Sequence, residues 1–348
     1  VTTALAPAPR SDVASSRRPI GVRWAWLGAS IALLVVLCAA SIAFGARDVS
    51  VSELWAALWG STGTVGEAAV VARIPRTVLA VLVGAALALA GATMQAVTRN
   101  PLADPGILGV SGGAALAVVI GLAFFGLSDS WVTMGLAIAG AGAAAVFVYA
   151  VGSLGRGGAT PLKLALAGAA VSAAFASLVS AILLPRLDVM ESFRFWQIGG
   201  VGGATWDRLV AVLPVLAVGA LICLVTARGM NSLALGDDLA AGLGENVGRT
   251  RLLSSAGAVI LCGGATAVAG PIGFVGLVIP HLCRLVIGTD HRWLLPLSAL
   301  LGADLLVLAD VVGRVVSRPE EIEVGILTAL IGAPFFIWIV RRQRVREL

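Results

Sequence analysis

Apolar residues in this chain come in long runs, separated by short stretches that collect proline, glycine and charge. Cutting at those stretches predicts ten helices, over residues 24–45, 77–97, 107–127, 131–154, 162–184, 207–227, 252–270, 272–288, 293–313 and 324–340. Most approach the roughly 20 residues that one bilayer crossing requires. The eighth is short and contains Pro280. One further helix has a different pattern. Val51, Leu54, Trp55 and Leu58 recur at helical spacing, and Ser50 with Glu53 forms a capping box. It predicts a short helix lying on the outer surface rather than another crossing.

Composition excludes a water-soluble chain. Charged residues make up 12% of the 348 and apolar ones 59%, against about 25% and 45–50% in soluble domains. Residues 1–23 are polar, carry Arg10, Arg17, Arg18 and Arg23, and read as a cytoplasmic segment without a fold of its own. The apolar run after them, 22 residues long, exceeds the 7–15 of a signal peptide and reads as an uncleaved first span. Of the 24 Lys and Arg, 16 fall on the side holding both chain ends and 8 on the other, so both ends are predicted to be cytoplasmic. The net charge of +5 is therefore a mark of topology and does not point to nucleic acid. Trp24, Trp26, Trp131, Trp206, Trp293 and Trp338 lie near predicted span ends, the preferred depth of indole. Stretches rich in Ala and Gly, such as Gly84–Ala92 and Gly135–Ala145, allow close helix contact in lipid.

Chemistry is sparse. Cys38, Cys223, Cys262 and Cys283 are isolated in apolar runs and form no CxxC pair, and His281 and His291 form no HExxH, so no metal site is indicated. Lys163 follows Leu162 rather than a P-loop glycine, so nucleotide energy must come from another subunit. Within the spans, Asp310 precedes Arg314 by four residues, the spacing of a helical ion pair. Asp304 lies deeper, as a proton site or as a structural hydrogen-bonding group.

Two inner loops stand out. Arg99-Asn100-Pro101-Leu102-Ala103-Asp104-Pro105-Gly106 is stiffened by two prolines and reads as a tight turn or as a constriction at the mouth of a pathway. The longer loop, 228–251, places Leu235, Leu239 and Leu243 every four residues, an apolar stripe too short to span and suited to a protein partner. Outside, Arg73 and Arg76 precede the second span and Arg314 closes the ninth, as interfacial anchors or as contacts for carboxylates of an external partner.

The chain resembles the permease subunits of type II binding-protein-dependent ABC importers for ferric siderophores, haem and cobalamin. The segments that carry this are Arg73-Ile74-Pro75-Arg76, Gly91-Ala92-Thr93-Met94-Gln95 and Asn100 to Pro105, followed by Leu108-Gly109-Val110-Ser111-Gly112-Gly113 and Leu166-Ala167-Gly168. Ala234-Leu235-Gly236, Leu243-Gly244, Gly270 to His281 and Gly288-Thr289-Asp290-His291 follow, and then Gly302-Ala303-Asp304, Ala309-Asp310 and Gly332-Ala333-Pro334, in the family's order. The resemblance covers residues 24–342 and leaves 343–348 as a basic cytoplasmic tail.

It implies an all-α bundle of ten transmembrane helices in the bacterial cytoplasmic membrane. That bundle would pair with a second permease subunit, identical or homologous, and bind two cytoplasmic ATPase subunits that hold ATP and Mg. No cofactor is implied in this chain. An extracytoplasmic substrate-binding protein would dock through Arg73, Arg76 and Arg314. Asn100, Pro101 and Leu102 would form a cytoplasmic gate, with Thr160 in a loosely matching second gate region. Leu235, Gly236, Leu239, Ala240, Leu243 and Gly244 would couple to the ATPase, and Asp304 would be structural. The rival expectation is a proton-coupled secondary transporter that uses Asp304.

Overall fold

The computed structural model describes residues 19–127, 129–154 and 161–342, and it is helical throughout, with no strand among the described residues. Helix α1 (Ile20–Ala43) begins directly after Pro19, so the first span starts four residues before its predicted boundary, inside the segment read as polar. Next comes α2 (Val51–Leu58), closed by the capping box seen in the sequence, since Ser50 accepts from the Glu53 N–H and Glu53 accepts from the Ser50 N–H.

The second span departs most from its prediction. Helix α3 runs over Val65–Thr98 and takes in Arg73, Pro75 and Arg76, which the sequence had placed in a loop before residue 77. Proline weighs against a helix interior, but a second capping box, Thr64 with Glu67, starts this helix ten residues before Pro75. The two boxes are tied together, because Thr64 donates its hydroxyl to Glu53 at 3.1 Å. The outer corner between α2 and α3 is thereby fixed.

After α3 a 3₁₀ turn (Pro105–Leu108) and Gly109, at φ +70°, lead into α4 (Val110–Phe125), so this helix begins later than the predicted 107. Helices α5 (Ser130–Ser153) and α6 (Pro161–Leu183) follow within a residue of their predicted bounds. An outer helix, α7 (Leu187–Ile198), went unpredicted, because Asp188, Glu191 and Arg194 break its apolar period. Then come α8 (Trp206–Val225), α9 (Ala227–Leu233) and α10 (Asp237–Gly242). Helix α11 (Val247–Ala269) starts five residues before its predicted position because Asn246 caps the Arg249 N–H at 3.0 Å.

The eighth span is shorter than predicted. Residues 270–274 are not helical, and α12 covers only Val275–Ile287, about 20 Å of rise. Non-helical backbone at this depth is tolerated where protein surrounds it or a wet cavity adjoins it. Helices α13 (His291–Val316) and α14 (Val324–Arg342) complete the bundle. Among the described residues, seven helices are long and apolar enough to cross a bilayer, and shorter apolar helices at Val110–Phe125, Val275–Ile287 and Val324–Ile337 complete the ten of the sequence reading.

Helix α3 is the axis. It is buried from Val83 to Gln95 almost without interruption, whereas α1 buries only Ser30 and Ser41 and presents an apolar surface to lipid. Helices α13, α11, α12 and α8 surround α3. Glycine permits this. A Cβ on Gly84 would strike the backbone carbonyl of Gly302 in α13, and one on Gly91 would strike the backbone of Gly276 in α12. Beside the second contact, Gln95 donates to the Gly276 carbonyl at 3.1 Å and accepts from Arg284 at 2.6 Å, which pins the start of the short helix. With hydrocarbon on the outside, such close packing supplies the association energy that water would otherwise drive.

Gly84→Val should push α3 away from α13, at a cost of about 3 kcal/mol, the upper end for overpacking, because the obstacle is backbone. Gly135→Val, where no atom lies within 4 Å of the added carbon, is the control. The expected result is a lower thermal midpoint and aggregation on size exclusion in detergent for the first variant alone.

Candidate functional site

At the outer face, the last carbonyls of α1 lack helical partners, as at any helix end. Two guanidinium groups take their place. Arg73 donates to the carbonyls of Ile42 (3.1 Å), Ala43 (2.9 Å) and Arg47 (2.7 Å). Arg314, only 2% exposed, donates to the Ser41 carbonyl at 3.0 Å, the Phe44 carbonyl at 3.2 Å and the Ser41 hydroxyl at 2.7 Å. Cations at a helix C-terminus also oppose its dipole favourably. The ion pair expected of Asp310 and Arg314 is present at 2.7 Å, and Asp310 pairs on its other side with Arg76 at 2.8 Å. Arg76 reaches onward to Glu321 at 2.6 Å, at the rim.

The three arginines expected to meet an external partner are thus brought together, but not as equals. Arg73 and Arg314 are buried and occupied by α1, so neither side chain faces outward. Only Arg76 approaches the surface. The sequence could not reveal this, because the atoms that hold Arg73 and Arg314 are backbone carbonyls with no signature of their own.

Across the same rim, Glu323 packs into the space that a side chain at Gly200 would need, and its Oε2 has no hydrogen-bond partner. Burial pushes its carboxyl above the ordinary range, against the opposing pull of the Arg76 guanidinium.

At the inner face, α3 ends on Arg99 in the left-handed region, at φ 49°. The loop beyond is rigid. The Leu102 N–H donates to Asn100 Oδ1 at 2.9 Å, and the Gly106 N–H donates to Asp104 Oδ1 at 2.8 Å. Asn100 and Pro101 are exposed and Leu102 is half-buried. Asp104 also lines a cavity of about 120 Å³ with Leu87, Cys262, Thr266 and Pro271, beside the non-helical stretch before α12. Thr160 lies outside the described residues.

The 228–251 loop folds as α9 and α10, with glycine in the left-handed half of φ at Gly236 (+110°) and Gly244 (+82°). Leu235, Leu239 and Leu243 are 57%, 64% and 69% exposed and form the unpartnered stripe read from the sequence. Ala240, grouped with them in the sequence reading, turns inward and is fully buried.

A connection that the sequence reading missed joins these inner parts. Arg99 donates from Nε to the Leu233 carbonyl at 2.7 Å and pairs with Asp237, which Arg251 also reaches at 3.2 Å. The Pro-rich loop, the end of α3 and the exposed stripe are therefore joined through one guanidinium. The only trace in the sequence is a cation directly after a long span and an Asp pair 138 residues on.

Asp304 is buried in α13, and neither of its oxygens has a hydrogen-bond partner. No group of three or more His, Cys, Asp or Glu able to hold a metal occurs among the described residues.

The sequence pattern of the FecCD transport family matches residues 33–342. The chain is 46% identical to the iron(3+)-hydroxamate import system permease protein FhuB of Bacillus subtilis, over 91% of this chain and 84% of that one. It is 44% identical to the ferric enterobactin transport system permease protein FepD of Escherichia coli, over 89% and 93%. The hemin transport system permease protein HmuU of Yersinia pestis is 40% identical over 91% and 96%. Among solved structures, a metal-chelate type ABC transporter in an inward-facing conformation superposes with a TM-score of 0.80. Its identity is 31%, over 92% of this chain and 99% of that one.

Because the folded state holds the Glu323 proton more tightly than the unfolded chain, the stability linked to that proton is present in acid and is lost as pH rises. Glu323→Gln, which stays neutral, should stabilise the protein by about 1 kcal/mol at pH 8, the scale of one unsatisfied buried polar group, and by less at pH 5. Thermal midpoints in detergent at both values check this.

Proposed function

The chain belongs to the FecCD transport family, and from that premise we propose that it forms the translocation pathway of an ATP-driven importer fed by a substrate-binding protein. The cargo class is a ferric siderophore or a similar large metal chelate, in keeping with the hydroxamate, enterobactin and hemin systems named for its relatives. In this reading the chain pairs with a second permease subunit in the bacterial cytoplasmic membrane. Two cytoplasmic ATPase subunits bind ATP and Mg, and this chain supplies no cofactor.

The observation that carries the proposal is the exposed Leu235–Leu239–Leu243 stripe joined through Arg99 to the Pro-rich loop. An apolar stripe on the cytoplasmic side is a foothold for another protein. Gly236 and Gly244 let the chain turn at its two ends. When the ATPase pair closes on ATP, displacement of α9 and α10 passes through the Leu233 carbonyl and Asp237 to Arg99, and so to Asn100, Pro101 and Leu102 at the inner mouth. Thr160 belongs to the second side of that mouth in the same reading. Binding energy that differs between the open and closed arrangements is what shifts their populations.

Docking outside falls to Arg76. Arg73 and Arg314 hold the outer end of α1 in place, and Arg314 also positions Asp310, which in turn orients Arg76. An acidic partner would compete with Glu321 for Arg76, an exchange of one carboxylate for another at the rim. Such contacts govern orientation and rate of encounter more than affinity.

The test is uptake of a radiolabelled ferric hydroxamate into sealed vesicles that contain the chain, its ATPase and its binding protein. Import should require ATP and all three components. Leu239→Asp should abolish it by preventing ATPase attachment. Arg99→Ala should leave the ATPase bound and hydrolysing but lower the chelate imported per ATP by about tenfold, the effect of losing one charge-assisted contact of roughly 1.4 kcal/mol. Asp304→Asn should leave ATP-driven import intact. Uptake driven by a proton gradient without the ATPase, and lost in Asp304→Asn, would instead establish the proton-coupled transporter.

A further inference from the structure

A second site sits on the inner face, away from the gate loop and the leucine stripe. Helix α8 ends at Val225 and α13 begins at His291, and the two are bridged by α9 without packing closely on one another. The crevice between them has a volume of about 420 Å³ and is lined by Leu224, Val225, Ala227, Arg228, His291 and Arg292. Its composition is divided. Leu224 and Val225 form an exposed apolar lip, while Arg228 and Arg292 bring two guanidinium groups to the same crevice.

The charges are not balanced locally. Arg228 is exposed and makes no ion pair or side-chain hydrogen bond among the described residues. Arg292 pairs with Asp290 at 2.8 Å, and the same carboxylate lies 3.7 Å from Arg23 and accepts from Asn231 at 2.8 Å. Asn231 in turn accepts from the His291 N–H at 2.9 Å and meets its Nδ1 at 2.7 Å, so the imidazole is fixed as part of the wall. Two guanidiniums, of Arg292 and Arg23, thus share one carboxylate, and that of Arg228 has none.

The depth of the site is also marked. Trp24 and Trp293 stack edge to face at 5.1 Å beside this cluster, with Arg23 over the Trp293 ring at 5.7 Å. Paired indoles of this kind mark the headgroup level of the bilayer.

We propose that this crevice binds the phosphodiester headgroup of an anionic phospholipid of the cytoplasmic leaflet. Arg228 and Arg292 receive the phosphate, and the acyl chains lie along Leu224 and Val225. Basic pockets between helices on this side of a membrane suit such headgroups, and a guanidinium matches phosphate through paired donors. A free phosphate would satisfy the guanidiniums equally but gives no reason for the apolar lip. The site goes beyond the transport reading and requires only that the α8–α9 end of the bundle face the cytoplasm.

The experiment is native mass spectrometry of the full-length protein, released in mild detergent from vesicles of phosphatidylglycerol and phosphatidylcholine in equal amounts. Wild type should retain phosphatidylglycerol selectively. Arg228→Ala should weaken that retention about fivefold, the effect of one basic residue near the surface. Since Arg228 is exposed, its thermal midpoint in phosphatidylcholine alone should match wild type. Equal retention by both proteins would overturn the proposal. So would binding of glycerol phosphate as tight as that of the lipid, which would identify a free-phosphate site. Efficient disulfide formation between two copies of Val225→Cys would also overturn it, by showing that a second chain covers the crevice. Import activity enters none of these readouts, so failure here leaves the transport reading untouched.

Discussion

Contact between bare backbones along α3 is the constraint on which the rest of this structure depends. Where Gly84 meets Gly302 and Gly91 meets Gly276, two helix axes approach as closely as main chain allows. A membrane protein gains little by hiding hydrocarbon from hydrocarbon, so tight van der Waals contact has to carry the assembly. Once α3 is fixed in this way, α13 and α12 are fixed by it, and their ends determine where the few polar groups can lie.

Those polar groups are placed with little redundancy. At the outer end, two guanidiniums complete the last turn of α1, and Asp310 lies between Arg76 and Arg314 in a site closed to solvent. At the inner end, Arg99 joins a backbone carbonyl and a carboxylate from a different part of the chain. In both places arginine is suited to the work because its planar fork can serve several acceptors at once. The one lysine of the chain, Lys163, donates to the Leu154 carbonyl at 3.4 Å.

Much of this was legible in the sequence where one segment decides the outcome alone. The Ser50–Glu53 box, the Leu235–Leu239–Leu243 stripe and the Asp310–Arg314 pair are all local patterns, and all are present as read. The misreadings have a common cause, which is dependence on distant backbone. Pro75 looked like a boundary because the capping box that starts α3 lies upstream of it. Arg73 and Arg314 looked available because the carbonyls that occupy them carry no side-chain identity. Ala240 matched its neighbours in type but not in direction. The bond from Arg99 to residue 233 spans too much chain for any periodicity to announce.

The length of α3 has a mechanical consequence. Its 34 residues make a rod of about 51 Å in a hydrocarbon layer of about 30 Å. The Gly84–Gly302 contact divides it into arms of roughly 28 Å toward Val65 and 21 Å toward Thr98. One continuous helix thus carries both the Thr64–Glu67 corner at its outer start and the Arg99 link at its inner end.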